Sequence, residues 1–289
     1  MKRCMRCEAQ YDSSTWRCLA CGFEPVIIEG FPAFAPELAS DASGFNAALY
    51  AALAQVETNN FWFRSRNRLI AWALKRYFRG ARNFLEIGCG TGFVLTGVAA
   101  ALPALELYGS EVLSSGLGYA SKRVPQARLM QMDARNIPFA DEFDVIGAFD
   151  VIEHIEEDHL VLRQIRRALA ANGGILLTVP QHPFLWSQYD VHARHVRRYR
   201  ARELRERVIN AGFEIIRMTS FVTLLLPFMM LSRLVPRAPE QGCDPFAEFR
   251  LHPLLNAVLE KTLDLERAVI TSGLTLPVGG SLLLVGRKR

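Results

Sequence analysis

At 289 residues, half of them apolar, the chain is long enough for one large domain plus an appendage, and nothing in its composition suggests disorder. Its net charge of +5 sets 34 bases against 29 acids, so an anionic partner is permitted without being required. No run approaches the roughly 20 apolar residues that a membrane-spanning helix takes, and Met1-Lys2-Arg3-Cys4 lacks the apolar core of a signal peptide. The expectation is a cytoplasmic protein with reduced cysteines, in which paired cysteines point to metal before disulfides.

Cys4-x2-Cys7 and Cys18-x2-Cys21 are separated by residues 8–17, a spacing that lets two tight turns bring four thiolates onto one tetrahedral ion. The pattern resembles a zinc ribbon. It is predicted over residues 1–30 with Cys4, Cys7, Cys18 and Cys21 as zinc ligands, the ion supplying folding energy that so short a segment cannot draw from a core. Its bases Lys2, Arg3, Arg6 and Arg17 are few and accompanied by Glu8 and Asp12, which favours a structural or docking role over nucleic-acid binding. Pro25, Pro32 and Pro36 mark a linker with local turns, taken as residues 31–44, and the large domain is expected over residues 45–289. It opens with a helical pattern from Phe45 to Phe78 that contains Phe61-Trp62-Phe63-Arg64-Ser65-Arg66-Asn67-Arg68. These aromatics and arginines either close over a bound cofactor or form a packed helix with a solvated basic face.

Asn83 to Phe93 follows as a strand (Phe84, Leu85, Ile87), a glycine turn and a helix start. Glycine permits positive φ and close approach of a ligand to the backbone. A dinucleotide fingerprint would need a glycine where Phe93 stands; the sequence instead reads Glu86-x-Gly88-x-Gly90-x-Gly92. A second strand over Leu105–Glu111 ends in an acid about 20 residues beyond the glycines, where a carboxylate can accept from both ribose hydroxyls of a nucleoside. A third strand runs from Arg128 to Asp133, and a fourth covers Phe143–Asp150 before Val151-Ile152-Glu153-His154-Ile155. A helix at Leu160–Ala170 stopped by Asn172-Gly173-Gly174, a strand at Ile175–Pro180, a helix at Ala201–Ala211, and strands at Phe213–Thr219 and Ser281–Val285 complete the pattern.

The four ordered elements ending in Glu86, Glu111, Asp133 and Asp150 resemble class I S-adenosylmethionine-dependent methyltransferases of the small-molecule type, over roughly Phe45 to Arg289. The resemblance implies an α/β doubly wound, seven-stranded, mostly parallel sheet with the last strand antiparallel. It also implies S-adenosyl-L-methionine as cofactor, bound by Glu86, Gly88, Cys89, Gly90, Gly92, Glu111, Val112, Asp133, Ala134 and Asp150. Asp133 and Ala134 take the position that reads the adenine.

Ligands in such sheets bind outside the carboxyl ends of the strands. The acceptor is therefore expected among Asp150–His154, Gln181–Tyr199 and a helical insertion over 221–276. For a hydroxyl acceptor, a neutral histidine is a suitable base; His154 and His195 are the catalytic candidates, each also readable as a structural residue. His192 and His195 lack the acidic partners of a metal site. Asp150-Val151-Ile152-Glu153 departs from the Asn/Asp-Pro-Pro-aromatic run of amino-group methylation, and no cysteine follows the fourth strand as cytosine C5 methylation needs. Arg194, Arg197, Arg198, Arg200, Arg202, Arg205 and Arg207 read as a solvated face, with Arg197, Arg198 and Tyr199 able to hold a substrate anion.

The apolar run Phe221–Pro236 is a lid, a helix packed on the sheet, or a peripheral membrane contact through 221–235. The preferred function is O-methylation of a small or lipid-linked acceptor. The rivals are ribosomal RNA base methylation, which the apolar insertion disfavours, and a non-catalytic cofactor-binding or assembly protein.

Overall fold

In the computed structural model, residues 1–40, 47–234 and 250–289 are described. Residues 41–44 of the expected linker, Phe45, and 235–249 of the insertion, including Val235 and Pro236, lie outside them.

The chain begins with an antiparallel pair, β1 (Lys2–Arg3) and β2 (Gln10–Tyr11). It is followed by a hairpin of β3 (Val26–Ile28) and β4 (Phe31–Ala33). Glu29 and Gly30 between these strands both take positive φ, the turn that matches strand twist. The described part of the expected linker is thus built into the fold, because Ala33 pairs in parallel with the edge of the main sheet at Gln131. Three-residue strands flanked by prolines carry too little alternation to be told from turns.

The larger unit runs α1 (Ala47–Glu57), α2 (Phe61–Tyr77), β5 (Asn83–Ile87), α3 (Phe93–Ala101), β6 (Glu106–Glu111), α4 (Ser114–Arg123), β7 (Arg128–Gln131) and β8 (Phe143–Phe149). It continues through α5 (Asp158–Ala168), β9 (Leu169–Pro180), α6 (Gln188–His192), α7 (Ala201–Asn210), β10 (Phe213–Phe221), α8 (Leu226–Leu234), α9 (Pro253–Thr271) and β11 (Ser281–Lys288). The strand order is β10-β11-β9-β8-β5-β6-β7-β4-β3. The seven expected strands are present, with β11 antiparallel to both β9 and β10, and the hairpin adds two more at the far edge. α8 and α9 form the helical insertion before the last strand.

Strand burial follows from having helices on both faces. Leu85 and Ile87 of β5 point toward Val161, Leu162 and Ile165 of α5 and Leu204 and Val208 of α7. Phe84, one position out of phase, packs with Leu69, Ile70 and Leu74 of α2, Val94 and Leu95 of α3, and Leu263 of α9. Asn172-Gly173-Gly174 does not stop a helix, as α5 already ends at Ala168 and β9 starts at once. These residues sit inside the long strand, where a Cβ on Gly173 would stand 2.9 Å from the Phe143 carbonyl oxygen. Likewise β7 ends at Gln131, leaving Asp133 in the turn beyond it.

The N-terminal segment docks on the loop that follows β7. Arg3 N–H donates to the Pro138 carbonyl at 2.9 Å and Ala140 N–H to the Met1 carbonyl at 3.0 Å. Trp16 packs edge-on against Phe34 and Phe139. No helix among the described residues is long and apolar enough to cross a membrane.

Candidate active site

The strand order reverses between β5 and β8, and the carboxyl ends of β5 to β8 open there onto a cleft of about 890 Å³. The glycine turn forms its floor. Gly88, Gly90 and Gly92 all have positive φ. A Cβ on Gly88 would lie 2.5 Å from Val151 Cγ2, so the turn tolerates no side chain at that point. A Cβ on Gly92 would lie 2.8 Å from Ala120 Cα of α4. Gly92 is thereby a packing glycine and does not line the cleft, whereas Gly88, Cys89 and Gly90 do.

The other expected cofactor residues, Glu86, Glu111, Val112, Asp133, Ala134 and Asp150, all line the same cleft. Glu111 accepts N–H groups from Gly90 at 2.9 Å and Val112 at 2.7 Å, fixing the carboxylate beside the glycine turn. Burial raises its carboxyl above the ordinary value, and those donors with the Tyr50 side chain oppose the rise. Glu86 is buried with Oε2 unpartnered among the described residues; burial pushes its carboxyl well up, opposed by Arg66. Burial also raises the Cys89 thiol well above its usual value, which fits a lining role and not a nucleophile. Asp133 is clasped by Arg135, whose Nε lies 2.9 and 3.1 Å from its two oxygens. Asp150 has φ +57° and accepts from Thr178 Oγ1 at 3.1 Å and from the Arg66 guanidinium. That guanidinium stands 4.4 Å from the Trp62 ring centre, so the aromatic-arginine stretch of α2 does reach the cleft, where Phe61, Trp62, Phe63 and Arg66 line the wall.

At the far end of the cleft the two histidine candidates meet. The rings of His154 and His195 are 4.6 Å apart at 83°. His195 Nδ1 lies 2.8 Å from Oδ1 of Asp190, a fully buried carboxylate. Asp190 is also gripped by Arg198 through Nε at 2.7 Å and Nη2 at 3.0 Å, and it closes a capping box with Ser187. This leaves Nε2 of His195 as its available nitrogen. Burial, with His195 beside it, lowers His154 to about 3, so its imidazole is neutral. Glu153, 0% exposed, lies with them, and neither of its oxygens has a partner in another described residue. Sequence reasoning gave no role to Glu153, Asp190 or Tyr50; the one available signal was an acid five residues before His195 in an aromatic-basic loop.

His192 is exposed and bonded to the Gln188 carbonyl, so it does not pair with His195. Nor are Arg197, Arg198 and Tyr199 free to hold an anion. Arg197 and the Tyr199 hydroxyl lie 2.7 and 2.6 Å from buried Asp158, and Arg198 is committed to Asp190. Arg207 joins Asp158 at 2.6 Å and Arg202 pairs with Glu206 at 2.7 Å, so much of the basic run is neutralised within the fold. α8 roofs the cleft with Leu225 just before it and Met229, Ser232 and Arg233, while Phe228 and Leu231 face outward. Glu266 of α9 anchors the approach to α8 by accepting N–H groups of Thr223 and Leu224 at 2.6 and 2.9 Å.

The four N-terminal cysteines converge as their spacing requires. Sγ of Cys4 is 3.5 Å from that of Cys21, Cys7 is 3.7 Å from Cys18, and all four fall within 4.8 Å. A tetrahedral ion with metal–sulfur bonds of about 2.3 Å sets sulfurs about 3.8 Å apart, so the donor set fits. N–H groups of Arg6 and Cys7 point at Cys4 Sγ and, against its burial, bring that thiol down to about 6.

An acid-tipped β5–glycine–α3 unit at the reversal of a doubly wound sheet, with further acids at the ends of β6 and β8, defines a nucleoside-cofactor enzyme of the methyltransferase type. Residues 55–218, more than half the chain, match the family model described as a methyltransferase domain, and the protein belongs to that family. It is similar to a "Probable S-adenosylmethionine-dependent methyltransferase" of Mycobacterium tuberculosis, 27% identical over 198 residues that make up 67% of this chain and 71% of the relative. A malonyl-[acyl-carrier protein] O-methyltransferase of Legionella pneumophila is 30% identical over 101 residues, 34% of this chain and 36% of that one. A ubiquinone/menaquinone biosynthesis C-methyltransferase of Syntrophotalea carbinolica is 28% identical over 149 residues, 45% and 62%.

Among solved structures, phosphoethanolamine N-methyltransferase 2 of Haemonchus contortus in complex with S-adenosyl-L-methionine matches with TM-score 0.51 and 19% identity, covering 77% of this chain and 52% of that one. The [4+2]-cyclase SpnF matches with TM-score 0.52 and 19% identity, covering 78% and 83%. At these identities the likeness is one of fold. The chain is an S-adenosylmethionine-dependent methyltransferase with a Rossmann-like fold.

Proposed function

We propose that this enzyme methylates a hydroxyl oxygen of a small or lipid-linked acceptor held between His195 and α8, and that the four cysteines hold a structural zinc. The observation that carries the proposal is the continuity of one cleft from the glycine turn to the His154–His195 corner beneath Met229.

S-adenosylmethionine supplies an electrophilic methyl group on a sulfonium. In our assignment Gly88, Cys89 and Gly90 receive its methionine end, Glu86 and Arg66 orient the amino and carboxylate groups, Glu111 accepts from the ribose, and Asp133, Ala134 and Val112 flank the adenine. Glu111 is already fixed by two backbone donors, so little ordering cost remains on binding. Asp190 holds His195 in the tautomer that leaves Nε2 free to take the acceptor proton, and the neutral His154 beside it adds no opposing charge. Trp62, Phe61 and α8 line the cleft onto which the corner opens. Two relatives carry names with acyl-carrier or quinone acceptors, which agrees with an apolar roof. Outward-facing Phe228 and Leu231 extend that roof to the surface and suit contact with a membrane that stores such an acceptor. The internal pairing of Arg197, Arg198, Arg202 and Arg207 weighs against an RNA acceptor, which takes a continuous free basic groove.

Incubation with methyl-labelled cofactor and fractionated lipid, RNA and small-metabolite pools tests the proposal. Label is expected as a methyl ether in the lipid or metabolite pool; label in RNA alone, on carbon, or only as a methyl ester overturns it.

A further inference from the structure

The acceptor corner holds a set of side chains that a proton-transfer role does not need. Glu153, His154 and His195 each present a ligand-type atom, and these atoms lie within 4.8 Å of one another. Glu153 arrives from the turn after β8 with 0% exposure, and neither carboxylate oxygen has a partner in another described residue. A buried carboxylate without hydrogen bonds is costly, and a fold keeps one where a proton or a cation compensates it.

Three features favour the cation. The first is that His195 has its other nitrogen provided for, Nδ1 lying 2.8 Å from Asp190 Oδ1. A carboxylate or carbonyl behind the imidazole is the usual support of a metal-ligating histidine. The second is charge. Arg66 is paired with Asp150 and Arg198 with Asp190, so neither guanidinium is paired with Glu153. The third is that the set sits on the wall of the cleft, with one side open to whatever occupies it.

We propose that Glu153, His154 and His195 bind one divalent first-row transition ion, with an open coordination position facing the acceptor. Two imidazoles and one carboxylate suit zinc, iron, cobalt or manganese, whereas magnesium and calcium prefer all-oxygen sets. Ligands of one such ion stand about 3–4 Å apart, so side-chain adjustments of about an ångström close the site. The proposal rests on the reading of this corner as the acceptor site and changes how it works, with His195 a ligand instead of the base. The acceptor oxygen takes the open position and its proton leaves to solvent, since the ion lowers the hydroxyl's pKa. The oxygen–carbon bond then forms as the carbon–sulfur bond breaks, with that electron pair returning to sulfur.

The test uses the full chain with its cysteine site loaded with zinc and titrates it with cobalt(II), whose visible bands report nitrogen and oxygen ligation without thiolate charge transfer. One equivalent is expected per chain. Affinity should fall at least tenfold in Glu153→Gln and ten- to a hundredfold in Asp190→Asn, with unchanged cofactor binding showing that both variants are folded. His192→Ala should bind cobalt as the parent does. Absence of that cobalt equivalent, or equal cobalt affinity in all variants, overturns the metal. Methyl transfer that persists in protein stripped at this corner also overturns it while leaving the hydroxyl-methylation reading intact. Cobalt bound as expected, with no pool labelled, supports the metal and removes that reading instead.

Discussion

The N-terminal cysteines and the Glu153–His154–His195 corner are both clusters of ligand-type side chains, and they are assembled in opposite ways. The cysteines meet across 17 residues of chain, brought together by two knuckles, in the first of which the Arg6 and Cys7 N–H groups already point at Cys4 sulfur. The corner joins the turn after β8 to a loop about 40 residues further on, and it exists only because β8 and β9 are neighbours and Asp190 pins that loop. A local cluster is encoded by spacing and stands largely apart from the sheet. A tertiary cluster inherits its geometry from the whole fold, and it lies where the sheet places chemistry.

That contrast can be broken at several points. The largest effect is expected at Asp190→Asn. Losing the carboxylate behind His195 permits the wrong tautomer and should lower kcat by on the order of 10²–10⁴-fold, with cofactor affinity unchanged by calorimetry. Equal loss of cofactor binding would instead make Asp190 a purely structural residue. Glu111→Gln comes next, because a charge-assisted acceptor contributes about 1.5–3 kcal/mol; cofactor affinity should fall about 10- to 100-fold while kcat at saturation holds. Disrupting the cysteine cluster with Cys7→Ser should act more mildly. Its effect travels through Arg3 and Met1 to the 136–140 loop beside Asp133, so cofactor affinity should fall about three- to tenfold. A catalytic defect at saturating cofactor would show that the ribbon does more than brace that loop. The smallest effect belongs to His192→Ala, exposed and tied only to its own helix, which should leave turnover within about twofold.

The proposed cofactor half of the cleft was legible in the sequence because its determinants are local. Strand, glycine turn and acid recur in chain order, and every proposed cofactor residue except Gly92 lines the cleft. Gly92 shares the glycine pattern, yet its freedom is used against Ala120, and sequence does not separate a packing glycine from a ligand-facing one. The proposed acceptor half was legible only as a list of segments. His154 and His195 were named singly, but Glu153 reads as one more surface acid until burial is known. The arginine run misled for the same reason, since its partner Asp158 lies about 40 residues upstream and wholly buried. The β3–β4 hairpin escaped because its strands are too short for periodicity to register.

The central claim is that one cleft carries the cofactor from the glycine turn to the histidine corner. A crystal structure with S-adenosylhomocysteine tests it most directly. The account predicts the ribose on Glu111, the adenine beside Asp133 and Ala134, and the sulfur directed toward His195. Product bound with its sulfur turned away from His195, or walled off from that corner, would contradict it.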